Sequence, residues 1–435
     1  MSAENLDQES PMKDSARPKP SAPILRSTKA DWVAVGAISA VSAIALAGAF
    51  VTAPIRQAEL SPAADTVADT EADASAEPLD SIPAHLTESF SLPNTPVPGQ
   101  SRVVSAQGVL VTHDGDTLTA TSPTGETAWT YRRGDADLCS LGTAWNKIVA
   151  TYRTGNGCGD VVALDAASGQ YDSTRSARSA QEVVPISSNS NVGTVSTERI
   201  ELWRDDMVRT VEYGEVDAKQ EPGQQPHEDC TITSALTRTE NLAVTESCPD
   251  SPDSTWLRIQ KTTPEDSRAP EITRDIEIND PGARLVAVGQ EAAAVFLPSD
   301  SPRIVSYNFD GETIASTEVE PSKALTDASA PFAPAIADLP HNMTWFDGER
   351  LYLFTPTELR VDHIVDGALG TGVAVDDRLL VPTAEGIAVV NWSSGEVERT
   401  IDVDREGYSG PVSLTLAGTA IVEQRGSTAV ALTAS

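Results

Sequence analysis

The chain has 435 residues, 64 acidic and 31 basic, for a formal net charge of −33. Repulsion at that charge excludes nucleic acid and anionic lipid headgroups as partners of its acidic face. Solubility is the plain use of such acidity.

Residues 1–30 are polar and charged, with Pro11, Pro18, Pro20 and Pro23, and predict a disordered cytoplasmic tail. Trp32 to Ile55 is then a run of 24 positions without a charged side chain. A helix rising about 1.5 Å per residue crosses a hydrocarbon core of about 30 Å with roughly 20 apolar positions, so residues 31–55 predict one transmembrane helix. Lys13, Arg17, Lys19, Arg26 and Lys29 precede the run, and no Lys or Arg lies between Arg56 and Arg102. The positive-inside rule puts the N-terminus in the cytoplasm and the C-terminal domain outside, in the cell envelope. A cleaved signal peptide is the competing reading, because Ala45 and Ala47 form an A-x-A pattern. Against it, the run exceeds the roughly 7–15 residues of a secretory apolar region, and the segment ahead of it is long.

Residues 56–83 are rich in Ala, Pro and acidic residues, the composition of a self-repelling, extended linker. From residue 84 to 435 the pattern changes to short β-rich runs of about 4–7 residues separated by Gly, Asp, Asn and Pro, without an amphipathic helix. These runs recur. The clearest copies are Asp116–Trp129, Asp160–Gly169, Arg303–Glu312 and Gly386–Glu396, each an alternating strand running into a Gly-containing turn. Weaker copies are Arg199–Trp203, Trp256–Gln260, Glu358–Asp362 and Thr428–Leu432. A unit repeating every 30–50 residues or so, roughly the length of four strands, predicts an all-β fold, an eight-bladed β-propeller. Seven blades is the alternative, because the unit around Thr357–Gly370 is short. The last segment, Val412–Leu432, holds three strands, whereas Leu86–Leu92 is a lone strand ahead of the first unit. Leu86–Leu92 is therefore expected to be the outer strand of the last blade, closing the ring and removing an open edge.

All four cysteines, Cys139, Cys158, Cys230 and Cys248, follow the apolar run. An even number in an oxidising compartment predicts disulfides. Of three connectivities, the separations of 19 and 18 residues in equivalent places of two repeats favour 139–158 and 230–248, each linking neighbouring strands. Each closure is worth about 3 kcal/mol in the chain-entropy model. Zinc is the poorer reading, since there is no C-x-x-C and only His227 lies close to a cysteine.

The repeat resembles the quinoprotein-type, or pyrroloquinoline-quinone-like, propeller phrase x-L-x-A-L-D-x-x-T-G-x-x-x-W. Val161–Asp165 with Gly169, and Thr124–Gly125 with Trp129, are its best copies. The likeness covers residues 84–435, and most other units lack the final tryptophan. The layout of tail, single crossing and acidic propeller is similar to that of single-pass envelope proteins of high-GC Gram-positive bacteria. The resemblance implies either a quinone-dependent dehydrogenase with calcium at the propeller centre, or a non-catalytic role like that of a Gram-negative lipoprotein propeller that scaffolds outer-membrane protein assembly.

Catalytic motifs do not support the enzyme. No G-x-S-x-G, H-E-x-x-H or Walker loop occurs, and His85, His113, His227, His341 and His363 show no metal-ligand spacing. His113-Asp114-Gly115-Asp116 reads as a hairpin turn rather than a calcium loop. No catalytic, cofactor-binding or metal residue is assigned, and no cofactor is expected. Trp129, Trp145, Trp203, Trp256, Trp345 and Trp392 are expected between blades, the alternative being an exposed cluster for sugar stacking. Two long loops, Gly214–Asp229 and Glu320–Asn342, are candidates for recognition. The expected function is a membrane-anchored, extracytoplasmic interaction or assembly scaffold with an envelope or membrane protein partner. A ligand-binding sensor and a quinone-dependent dehydrogenase are the alternatives.

Overall fold

The computed structural model describes residues 27–53, 56–63, 78–322, 325 and 328–435. Most of the expected tail, the middle of the expected linker and part of the loop at 320–342 therefore lie outside the described residues. The chain divides into two units, residues 1–56 and residues 57–435.

In the first unit, Lys29–Val51 forms a helix of 23 residues, close to the expected 31–55. Thr28 caps it: its hydroxyl accepts from the Asp31 amide, while the Asp31 carboxylate accepts from the Thr28 amide at 2.6 Å, a reciprocal capping box. No residue of the helix is buried, and it is long and apolar enough to cross a membrane.

The second unit is an eight-bladed propeller. Its blades are antiparallel sheets spanning residues 104–133, 138–176, 184–214, 231–278, 284–318, 335–366, 373–402 and 412–434. Eight separate apolar layers fill it, one at every interface between consecutive blades. Leu118 and Trp129 meet Ile148 and Leu164 between blades 1 and 2, and Val103 and Leu110 meet Ala417 and Val422 between blades 1 and 8. Alternation along each strand sends side chains to both faces, and here both faces have a neighbouring blade, so the middle strands are buried almost throughout, their few charged side chains included. Ala292–Leu297 is buried at every position, whereas the outer strand Thr313–Glu318 is exposed or half-buried throughout.

The repeated phrase has a local cause. In Asp160–Gly169 the Asp165 carboxylate accepts from the Ser168 amide at 2.8 Å and opens the turn, and Gly169 closes it at φ +69°. In Gly386–Glu396, Asn391 and Gly395 do the same, with Gly395 at φ +69°. Both glycines also lie under a side chain from the fourth strand, in chain order, of the preceding blade's own sheet. A Cβ at Gly169 would stand 2.4 Å from Trp129, and one at Gly395 would stand 2.7 Å from His363. Trp129 completes its dock by donating Nε1–H to the Ala166 carbonyl at 2.8 Å. Thus His363 occupies in blade 6 the place that tryptophan holds in blade 1.

Ring closure is as expected. Leu86–Pro93 pairs antiparallel with Thr428–Ala434, from Leu86 opposite Ala434 to Pro93 opposite Thr428, as the fourth strand of blade 8. Buried Asn94 then ties this blade to the first, donating to Gln424 Oε1 at 2.5 Å and accepting from the His113 amide at 2.9 Å.

Two expectations need correction. The stretch 56–83 is not spacer throughout: Ala58–Ser61 adds a fifth strand to blade 1, paired with Thr130–Arg133. Leu79 and Ile82 pack on the apolar layer between blades 7 and 8. Both disulfides form as expected, but only one links neighbouring strands. Cys230 and Cys248 flank the adjacent strands Thr231–Arg238 and Asn241–Ser247. Cys139 and Cys158 lie on Leu138–Ala144 and Gly157–Asp165, with Lys147–Thr154 between them. A bulge leaves Cys139 outside the ladder, and the bridge passes the middle strand with a Cα separation of 6.0 Å.

Candidate functional site

Side chains from blades that are not neighbours meet only across the ring axis, and two segments of this chain lie there. Gly99, ahead of blade 1, stands against Val184 of blade 3 and Ala333; a Cβ on it would lie 2.8 Å from the Val184 Cβ and 3.0 Å from the Ala333 Cβ. Phe332, from the long loop between blades 5 and 6, donates its amide to the Thr233 carbonyl of blade 4 at 2.7 Å. It forms a parallel bridge with Ser234. The loop at 320–342 is thus used partly inward, and its described residues 328–334 reach past blade 5 to blade 4.

Charge at the axis is cationic in an otherwise acidic protein. Arg238 of blade 4 pairs with Asp338 of blade 6 at 3.0 Å. Arg102 shares the field of Asp338, but burial dominates and holds its pKa below the usual value. Burial also lowers Arg284, whose guanidinium lies 5.5 Å from the Phe332 ring centroid. The calcium–quinone pair implied by the repeat does not fit this donor set. The carboxylate found there is committed to Arg238, and the guanidiniums around it repel a divalent cation.

Other buried charge is structural. The buried glutamates Glu201, Glu212, Glu246 and Glu423 are each ion-paired with arginine. Burial opposes ionisation of Glu201, but Arg175 and Arg199 outweigh it and hold its pKa low. At Glu212 and Glu246 burial wins and pushes the pKa up. Cys230, Glu246 and Cys248 present ligand-type atoms within 4.8 Å of one another, yet the two sulfurs are bonded to each other and are unavailable to a metal.

The histidines are not brought together. His113 lies on a strand that turns through Gly115–Asp116 into the next, the expected hairpin. His85 precedes the closing strand, and His363 docks on Gly395. His227 belongs to the loop 214–229, where burial, then Arg258, lowers its pKa. That loop is pinned: Gln225 is buried and bonds Gly214, Glu212 and Arg268. Trp129, Trp203 and Trp345 are fully buried between blades, and Trp392 is nearly so, whereas Trp145 and Trp256 are half-buried.

Surface cavities among the described residues include two of note. One of about 430 Å³ lies beside blades 2 and 3, lined by Asn156, Arg178, Gln181 and Glu198 among others. The second, of about 260 Å³, lies between blades 6 and 7 and is lined by Pro340, His341, Ala374, Val375, Asp376, Asp377 and Trp392. There His341 Nε2 meets Asp377 Oδ1 at 2.8 Å, and the His341 and Trp392 ring centroids are 5.3 Å apart. Sequence reasoning missed both the axial arginines and this constellation. The Asp376–Asp377 doublet ahead of an apolar strand was the one local signal.

No protein-family model matches the chain, and no curated protein matches it. Among solved structures it is similar to BamB from Moraxella catarrhalis, at 13% identity over 80% of this chain and 98% of that one, TM-score 0.47. It is also similar to the computationally designed Ika8 protein, at 12% identity over 78% and 98%, TM-score 0.50. The quinohemoprotein alcohol dehydrogenase ADHIIG from Pseudomonas putida HK5 matches at 10% identity over 84% and 79%, TM-score 0.48. At 10–13% identity these likenesses speak for the fold alone, and the eight blades rest on this chain's own strand pairing.

Proposed function

We propose that this chain is a membrane-anchored, extracytoplasmic propeller that scaffolds protein assembly in the cell envelope without catalysing a reaction. The observation that carries this reading is the axis, where Gly99, Phe332 and Ala333 join non-neighbouring blades and the carboxylate present is held by Arg238. A ring cross-braced through its centre is a rigid platform whose faces and rim remain for partners. Two disulfides beyond a single apolar helix accord with an oxidising compartment. The charge asymmetry about that helix supports a cytoplasmic N-terminus. BamB, one of the similar structures, lends the reading no weight beyond the shared fold.

Crosslinking in intact cells, followed by mass spectrometry, tests the scaffold directly. A recurrent envelope or membrane protein partner is expected. Dye-linked dehydrogenase activity on adding calcium and the quinone would defeat the reading. Protease treatment of intact cells should digest the propeller, and its protection would reverse the orientation.

A further inference from the structure

The cavity between blades 6 and 7 has the chemistry of a carbohydrate subsite, and we propose that it binds one neutral sugar residue. Three turns of the ring build it. Pro340 and His341 come from the hairpin between Ala335–Asp338 and Met343–Phe346 of blade 6. Asp376 and Asp377 form the hairpin turn between Val373–Val375 and Arg378–Thr383 of blade 7, and Trp392 follows Gly386–Val390. Each side chain is thus carried on a short turn of a rigid sheet, so the arrangement is preorganised.

Size and polarity select the ligand. A volume of about 260 Å³ is below the roughly 300–1,000 Å³ of drug-sized pockets, so it takes one ring-sized unit. Asp376 and Asp377 are exposed acceptors able to take the hydroxyl protons of a polyol, and Pro340, His341 and Trp392 offer apolar or aromatic faces for its C–H face. His341 Nε2 lies 2.8 Å from Asp377 Oδ1 and Arg378 Nη1 lies 3.7 Å from Asp377 Oδ2, a spacing that leaves Oδ2 lone pairs for a ligand hydroxyl.

A second observation is independent of the cavity. Trp392 is 6% exposed, and its indole N–H has no hydrogen-bond partner. A buried N–H is normally paired, as that of Trp129 is; the indole N–H of Trp345 is likewise unpaired, but only Trp392 lines a cavity described above. A sugar hydroxyl or ring oxygen entering beside Trp392 supplies the missing acceptor after a small shift of the ring. The two carboxylates, within a chain of net charge −33, disfavour acidic sugars. That leaves neutral and basic sugars, and the proposal commits to the neutral class, whose hydroxyls the two carboxylates can accept from.

The test uses the full chain in a detergent without a sugar headgroup, titrated calorimetrically with glucose, galactose, mannose and arabinose, and with calcium and zinc chlorides. Saturable binding of at least one sugar is expected, weakened about tenfold or more by Asp377→Ala and by Trp392→Phe, which keeps an aromatic face of smaller size and removes the N–H. Asp377 is exposed, so unchanged thermal unfolding of that variant separates lost binding from lost fold. The inference is overturned if no sugar binds saturably, if both variants bind as the parent does, or if only the metal ions bind. Each of those results leaves the crosslinking test of the scaffold untouched.

Discussion

Replacing Glu423 with glutamine removes one charge from a site with no access to water. Glu423 is fully buried on the middle of blade 8. It accepts from Arg405 at 2.8 and 3.1 Å and from Arg425 at 2.7 Å. Arg405 also donates to the Gly386 carbonyl of blade 7 at 3.0 Å, so the carboxylate positions a link between consecutive blades. Glutamine keeps the volume but leaves two buried guanidiniums uncompensated, which costs about 3–5 kcal/mol. For a unit of this size the unfolding entropy near 60 °C is about 0.8 kcal/mol/K, so the melting temperature should fall by about 4–6 °C. Calorimetry of the propeller and the variant measures it, with urea midpoints as the check on cooperativity. A shift under about 1 °C would mean that water reaches the triad and screens it, and the argument from burial would fail.

Truncating Trp129 to Ala removes a fully buried ring and its bond to Ala166 and should cost about 3–5 kcal/mol; Gly169→Ala, which drives a methyl into the same ring, should destabilise too, as read by urea midpoints. Removing either disulfide as a double alanine variant should cost about 3 kcal/mol, and non-reducing peptide maps should show 139–158 and 230–248 links with no crossed species. Burial raises the pKa of Tyr131, Tyr152, Tyr213 and Tyr352 well above 10. Their contribution to stability is therefore complete below pH 10, the unfolded-state value, and is lost as pH rises above it. Tyrosinate absorbance from these rings should appear together with unfolding, and smooth ionisation in a still-folded protein would contradict their burial.

Much of the ring was legible because its information is local. Asp165 with Gly169, and Asn391 with Gly395, specify their turns within five residues, and alternation specifies the strands on either side. The odd strand Leu86–Pro93 and the three-stranded final unit were complementary in number, so closure followed from counting edges. What stayed hidden depends on edges and on the axis, which exist only once the ring has formed. Ala58–Ser61 has the composition of a linker and becomes a strand because blade 1 offers it an unpaired edge. Cys139 skips a strand because a bulge lifts it from the ladder. Arg102, Arg238, Phe332 and Asp338, or His341, Asp377 and Trp392, are far apart in sequence and share no periodicity. Apolar pattern, turn chemistry and residue spacing by themselves determined the apolar helix, the repeat, the closure and the cysteine pairs. Only the tertiary structure decided which polar groups converge, because convergence follows from the curvature that eight packed blades impose, and no local window of residues encodes that curvature.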